Sequence, residues 1–175
     1  LKKVGLNKFS YDAVTQGLCE ASLRGVDSHG IRLLDHYINS AKSKRKNINP
    51  NFTIQKKYPS IITLNADNAF GHAAGFKSID IGTKIADKQG ICFISVKNSS
   101  HAGSIASMTL RAARLNYICL GFTNADSLMS SYNGTTNLFG TNPICFAAPR
   151  LEDTPYCLDM ATTNISWNNL QELKK

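Results

Sequence analysis

The chain has 175 residues and a mass of 19.1 kDa, with 42% hydrophobic and 18% charged side chains and a formal net charge of +8. That composition excludes a disordered chain and a fibre, and a chain of this length can bury a sizeable core. No apolar run approaches the ~18 residues that cross a bilayer, and Leu1-Lys2-Lys3 leads into no apolar stretch, so neither a membrane span nor a signal peptide is expected.

Tyr11, Val14, Leu18 and Ala21 recur at spacings of 3, 4 and 3, which predicts an amphipathic helix stopped by Gly25. A second helix is predicted after Asp27, with Ser28 as its N-cap and Ile31, Leu34, Ile38 and Ala41 facing inward. The basic run Lys42, Lys44, Arg45, Lys46 follows, and Lys56 and Lys57 add to it. Residues 1–60 hold 11 basic and 4 acidic side chains, against 9 and 8 in residues 61–175, so the excess charge is local. Such a cluster suits a phosphate backbone, but a solvated helix end explains it equally. With no recognition motif beside it, neither a nucleic acid nor a membrane is an expected partner.

Phe52–Tyr58 and Ile61–Leu64 read as strands around Pro59-Ser60, and Ala73–Lys88 as a helix stopped by Gly90. Ile91–Val96 is near-continuously apolar, as in a strand buried on both faces. A helix with Ile105, Met108, Ala112 and Leu115 inward and a strand at Tyr117–Thr123 complete a βαβ pattern, so the expected fold class is α/β. Asn124–Phe139 is a long polar loop, and strands are expected near Ile144–Ala147 and Tyr156–Leu158. The last residues, Leu170 to Lys175, show no finished element, which suggests an incomplete chain. Cys19, Cys92, Cys119, Cys145 and Cys157 are odd in number and lack CxxC spacing. That favours a reducing, cytoplasmic setting over a disulfide framework, and no metal site is expected.

Three junctions carry polar residues able to do chemistry. Arg24-Gly-Val-Asp-Ser-His-Gly30 lies between two predicted helices; it reads as a site at Ser28 and His29, or as a capped helix with a surface histidine. Asn98-Ser-Ser-His-Ala-Gly-Ser104 turns from a strand into a helix, where unpaired N–H groups and the dipole could cradle an anion and keep His101 neutral. Asp159, after an apolar strand, is placed to orient an imidazole, to bond a ribose or simply to cap a helix. His36 and His72 read as ordinary structural histidines. The usual GxGxxG fingerprint, the P-loop and the HExxH motif are absent from the sequence.

Taken together, Arg24–Gly30, Asn98-Ser-Ser-His101, Phe122-Thr-Asn124, Gly140-Thr-Asn-Pro-Ile144 with Phe146–Pro149, and Leu158-Asp-Met-Ala-Thr162 resemble, in order, the malate/L-lactate dehydrogenase family. That family also contains ureidoglycolate, sulfolactate and piperideine-2-carboxylate oxidoreductases. The resemblance implies a non-Rossmann α/β fold, NAD or NADP as cofactor, a small 2-hydroxy acid or 2-keto acid (or cyclic imine) as substrate, and a homodimer. It also implies that this chain is a fragment of a longer enzyme, with an unfinished core and exposed apolar surface where the rest would pack. Residues 1–50 would be a helical segment on the substrate side, and residues 51–175 the cofactor-binding core.

Carried over, the resemblance makes His101, His29, Ser28 and Asp159 catalytic, and places Tyr37 and Thr141 on the substrate. Ala102, Gly103, Ser104, Asn124, Ala125, Asp159, Met160 and Ala161 would contact the cofactor. Relatives carry a carboxylate-binding Arg where this chain has Leu33; Arg32, one position earlier, is the nearest candidate, turned by about 100° along a helix. Two rival readings are a hydrolase built on Ser28, His101 and Asp159, and a non-catalytic fragment.

Overall fold

The computed structural model describes residues 1–151 and 154–163. Helix α1 (Lys8–Leu23) starts where the Asn7 side chain accepts the Ser10 N–H, and its buried Val14, Leu18 and Ala21 form the predicted stripe. The second predicted helix is broken. Residues Asp27–His29 and Ile31–Leu33 form two 3-10 turns, and α2 runs only from Leu34 to Lys42. Ser22 near the end of α1 causes this: its Oγ accepts the Ile31 N–H at 2.9 Å and leaves no room for a side chain at Gly30. Ser28 therefore lies within a 3-10 turn rather than at the N-cap of a helix, Ile31 turns out to solvent, and Tyr37, Ser40 and Ala41 become the buried face of α2.

Strands β1 (Thr53–Tyr58) and β2 (Ile61–Asn65) form an antiparallel hairpin. Helix α3 (Gly71–Gln89), stopped by Gly90 at φ 76°, carries the chain to β3 (Phe93–Lys97), parallel to β2. The parallel crossover is thus β2–α3–β3, not one built on the next helix. Helix α4 (Ala106–Ala113) leads to β4 (Cys119–Phe122) in a second sheet of order β4-β7-β8, antiparallel throughout, with β7 at Ile144–Ala148 and β8 at Tyr156–Met160. A small ribbon, β5 (Met129–Ser130) with β6 (Asn137–Phe139), lies inside the stretch expected to be loop.

Helix α4 explains why the crossover goes elsewhere. Of its eight residues all but Arg111 are buried, and most are Ala, Ser or Thr. Small side chains let it pack against α1 and α3 on one side and the second sheet on the other; a Cβ on Gly121 of β4 would lie 2.7 Å from Ile105. The buried apolar residues fall into separate clusters, one at the N-terminal helices (Val14, Leu18, Tyr37, Phe70), one around Phe76 and Met108, and one around Leu110 and Cys145. Strand β3 is mostly exposed rather than buried on both faces, because it is an edge strand and α3 covers one side only. The cysteines are all free and only Cys145 is buried. No helix among the described residues is long and apolar enough to cross a membrane. The final stretch, 164–175, lies outside the described residues.

Candidate active site

Four histidines and a tyrosine gather where the turns between α1 and α2, the start of α2, the start of α3 and the segment before α4 meet. Tyr37, fully buried, has its hydroxyl 2.9 Å from Nδ1 of His101, a contact spanning 64 residues of sequence. The His29 ring stacks on His101 with centroids 5.6 Å apart, and Ser28 Oγ lies 2.9 Å from His29 Nδ1. His36 approaches His101 edge-on at 6.5 Å. Beneath them His72 packs edge-on to Tyr37 at 5.3 Å, fully buried, and neither of its ring nitrogens meets a hydrogen-bond partner among the described residues. The room for that imidazole comes from two glycines. A Cβ on Gly17 would fall 2.1 Å from the ring, and one on Gly103, at φ 67°, 2.4 Å from Nε2.

Crowding sets the electrostatics. Burial, reinforced by His29 and His36, pushes the pKa of His101 well down from 6.5, even though one edge of the residue stays open to solvent. His29 shifts the same way through burial, opposed by the charge of Asp159. His72 falls to about 3 through burial and its two histidine neighbours. Burial raises the pKa of Tyr37, so its hydroxyl keeps its proton. At neutral pH His29, His72 and His101 are uncharged imidazoles. An uncharged imidazole keeps a lone pair free for a proton, although the depressed pKa makes it a weaker base than an open-chain histidine, and Tyr37 can serve either His101 tautomer because a hydroxyl donates or accepts.

Asp159 does something else. Its Oδ2 accepts the Ser104 hydroxyl and the Ala106 N–H, both at 2.8 Å, across the gap from β8 to the start of α4. His101 is thus five residues ahead of the helix rather than in its first turn, and the expected anion cradle is filled by the chain's own carboxylate. The cap belongs to α4, not to a helix beginning at Met160. Among the described residues no hydrogen bond links Ser28 to His101 or His101 to Asp159: Ser28 contacts His29, Tyr37 contacts His101 Nδ1, and Asp159 accepts from the α4 end.

The remaining expected residues form a neighbouring rim at one end of the second sheet. Ala125 N–H donates to Asn142 Oδ1 at 3.0 Å, and the Thr141 carbonyl accepts both the N–H and hydroxyl of Thr162 at 2.9 Å. Asn124 and Met160 are exposed there, with Ala161 half-buried. Thr141 makes no hydrogen bond to the imidazole cluster among the described residues. Ala102 and Gly103 are half-buried between the cluster and α4, and Ser104 is buried. Arg32 is exposed on its 3-10 turn, while Leu33 packs into the apolar cluster around Tyr37.

Residue types alone could not reveal His72 or the tyrosine's hold on His101. The glycines at 17 and 103 were the available signal for His72, and only the fold brings them onto one ring. A cavity of about 450 Å³ opens beside the cluster, lined in part by Tyr37, His101 and His36. No group of three or more metal-ligating side chains is assembled among the described residues.

The comparison with known proteins agrees in extent and in fold. Malate dehydrogenase of Pyrococcus abyssi is 33% identical over 175 residues, which is 100% of this chain and 48% of that protein. Ureidoglycolate dehydrogenase (NAD(+)) of Escherichia coli K12 is 29% identical over 174 residues, covering 99% and 50%. The solved structure of malate dehydrogenase from Pyrococcus horikoshii superposes with a TM-score of 0.93 at 33% identity, over 98% of this chain and 49% of that one. The chain spans about half the length of the curated relatives it matches. The family profile for malate/L-lactate dehydrogenase matches residues 1–175, and the chain belongs to that family.

Proposed function

We propose that the chain is the substrate- and proton-handling part of an NAD(P)-dependent oxidoreductase acting on a 2-hydroxy acid and its 2-keto acid. The observation that carries this is the Tyr37–His101 hydrogen bond with His29 stacked against it. The nicotinamide cofactor, when bound, takes or supplies the hydride, which no side chain can. Two features fit its reactive end: a cavity large enough for small ligands opens at His101, and Ala102 and Gly103 bring half-open backbone beside the imidazoles. The α4 N-terminus does not fit a phosphate, because Asp159 already occupies it.

In the oxidative direction neutral His101 accepts the substrate hydroxyl proton as the C2 hydrogen leaves with its electron pair and the C=O bond forms. His29, held by Ser28, lies parallel and close enough that one imidazolium excludes a second. Tyr37 fixes the ring in place, the part we give it instead of a direct substrate contact; Asp159 positions the α4 start rather than an imidazole. Residues 1–50 serve the substrate and residues 51–175 the cofactor, with the rim at Asn124, Ala125, Met160 and Ala161 on the cofactor side and Thr141 facing the substrate. A cytoplasmic homodimer is part of the same reading, supported by the free cysteines and the family resemblance.

The test is absorbance-followed oxidation of NADH and NADPH against a panel of 2-keto acids and cyclic imines, using the complete product of the reading frame. His101→Asn is expected to lower turnover by about 10²–10⁴-fold while fluorescence still detects bound NADH or NADPH. Undiminished turnover in that variant would refute the assignment.

A further inference from the structure

The cavity beside His101 has a second end that the reaction above does not use. Arg45 and Lys46, which follow α2, line it together with Ser40, Tyr37 and His101. Both sit on neutral oxygens: Arg45 donates to Ser43 Oγ at 3.2 Å and to Ser40 Oγ at 3.4 Å, and Lys46 donates to Asn68 Oδ1 at 3.1 Å. Neither is in an ion pair among the described residues, and no carboxylate lines the cavity. Two uncompensated cations at a concave wall focus positive potential into it.

The helix supplies the spacing. Ser40 lies three residues after Tyr37, so the two share one face of α2, separated by about 4.5 Å of rise. Tyr37 holds His101 and Ser40 meets the Arg45 guanidinium, which puts the imidazole and the cations about one helical turn apart along the cavity wall. Leu33, where the family resemblance leads one to expect an arginine, is packed into the apolar cluster, and Arg32 does not line the cavity.

We infer that Arg45 and Lys46 form an anionic subsite that receives the second charged group of a dianionic short-chain acid whose reacting carbon lies at His101. This rests on the reading of His101 as the proton-transfer group. It makes the site selective for acids with a carboxylate or sulfonate at the far end over simple monocarboxylates. A planar guanidinium beside an ammonium suits either anion.

The test is a titration of the 175-residue chain with malonate and with acetate, followed by the imidazole C–H resonances of its four histidines. Malonate is expected to shift His36 and His101 and to bind more tightly than acetate. Arg45→Gln and Lys46→Gln should each weaken malonate by about 10-fold and leave acetate little changed. Lys57→Gln, on exposed β1, is the control and should alter neither. Equal malonate and acetate affinities in the unaltered chain, or an unchanged malonate preference in both cavity variants, would overturn the subsite. Failure of the parent reading shows separately, as absence of His101-dependent nicotinamide turnover. In the active enzyme the same substitutions should raise KM for oxaloacetate and sulfopyruvate but not for pyruvate. A rise for only one of the first two tells carboxylate from sulfonate.

Discussion

His72 has no exposed surface and, among the described residues, no partner for either ring nitrogen, so the fold holds it uncharged. Its pKa falls from 6.5 in the open chain to about 3 in the folded one. A group depressed in this way contributes stability that is complete above the unfolded pKa and is lost as pH falls towards the folded value. Between about pH 6.5 and 3 the unfolded chain binds a proton that the native chain refuses, at a cost of up to about 1.4 kcal/mol per pH unit. His72→Leu fills the same space without a titrating group, and urea unfolding from pH 7.5 to 5 should show a shallower loss of stability in that variant. Equal slopes would mean that His72 is not the acid-sensitive group. At this scale the sequence was least informative. Nothing near residue 72 announces burial, and the glycines that admit the ring lie 55 residues before it and 31 after.

Helix α4 shows the same dependence one level up. Of the face predicted to point inward, Ile105, Met108 and Ala112 are buried, whereas Leu115 is exposed because the helix ends at Ala113. The helix start does not follow from spacing, because the cap is Asp159, 53 residues further on in β8. Asp159→Ala would leave the Ala106 N–H and the buried Ser104 hydroxyl without their acceptor, at about 1–2 kcal/mol. Thermal unfolding should report that loss directly. Because His101 stands just before the same turn, its resonance should broaden or shift as well. A variant that melts like the parent would show that the carboxylate does not support α4. The broken helix at residues 27–33 has a similar origin: the apolar spacing predicts one continuous helix with Ile31 inward, but Ser22 from α1 takes the Ile31 N–H and Ile31 is exposed.

For the molecule as a whole, the second sheet has two unlike faces. Cys119, Gly121, Cys145, Ala147 and Asp159 turn towards α4, while Leu120, Phe122, Tyr156, Leu158 and Met160 stand exposed on the other side. Leu120 is 61% exposed and Phe122 67%. A continuous apolar face of this kind on a free chain invites association or a covering partner. Sedimentation of the 175-residue chain should therefore show concentration-dependent association, and Phe122→Lys should weaken it. A strictly monomeric parent chain that binds no hydrophobic dye would contradict this. The expectation of exposed apolar surface came from the length relative to the family, and the sheet supplies the surface.

The sequence by itself determined the helices α1, α3 and α4, the β1–β2 hairpin, the α/β class and the family, because each is written in local periodicity, turn residues or short ordered motifs. It also brought Ser28, His29, His101 and Asp159 forward as chemistry. Tertiary structure alone decided that His101 is held by Tyr37, that His29 stacks on it, that Asp159 caps a helix, and that Arg45 and Lys46 share the cavity. The parallel strand pairing was decided there too, since β3 and β4 went to different sheets. The physical reason is common to all of these. Periodicity reports which face of an element is apolar, whereas a hydrogen bond across 64 residues or a glycine under a distant imidazole depends on which elements the packing brings together.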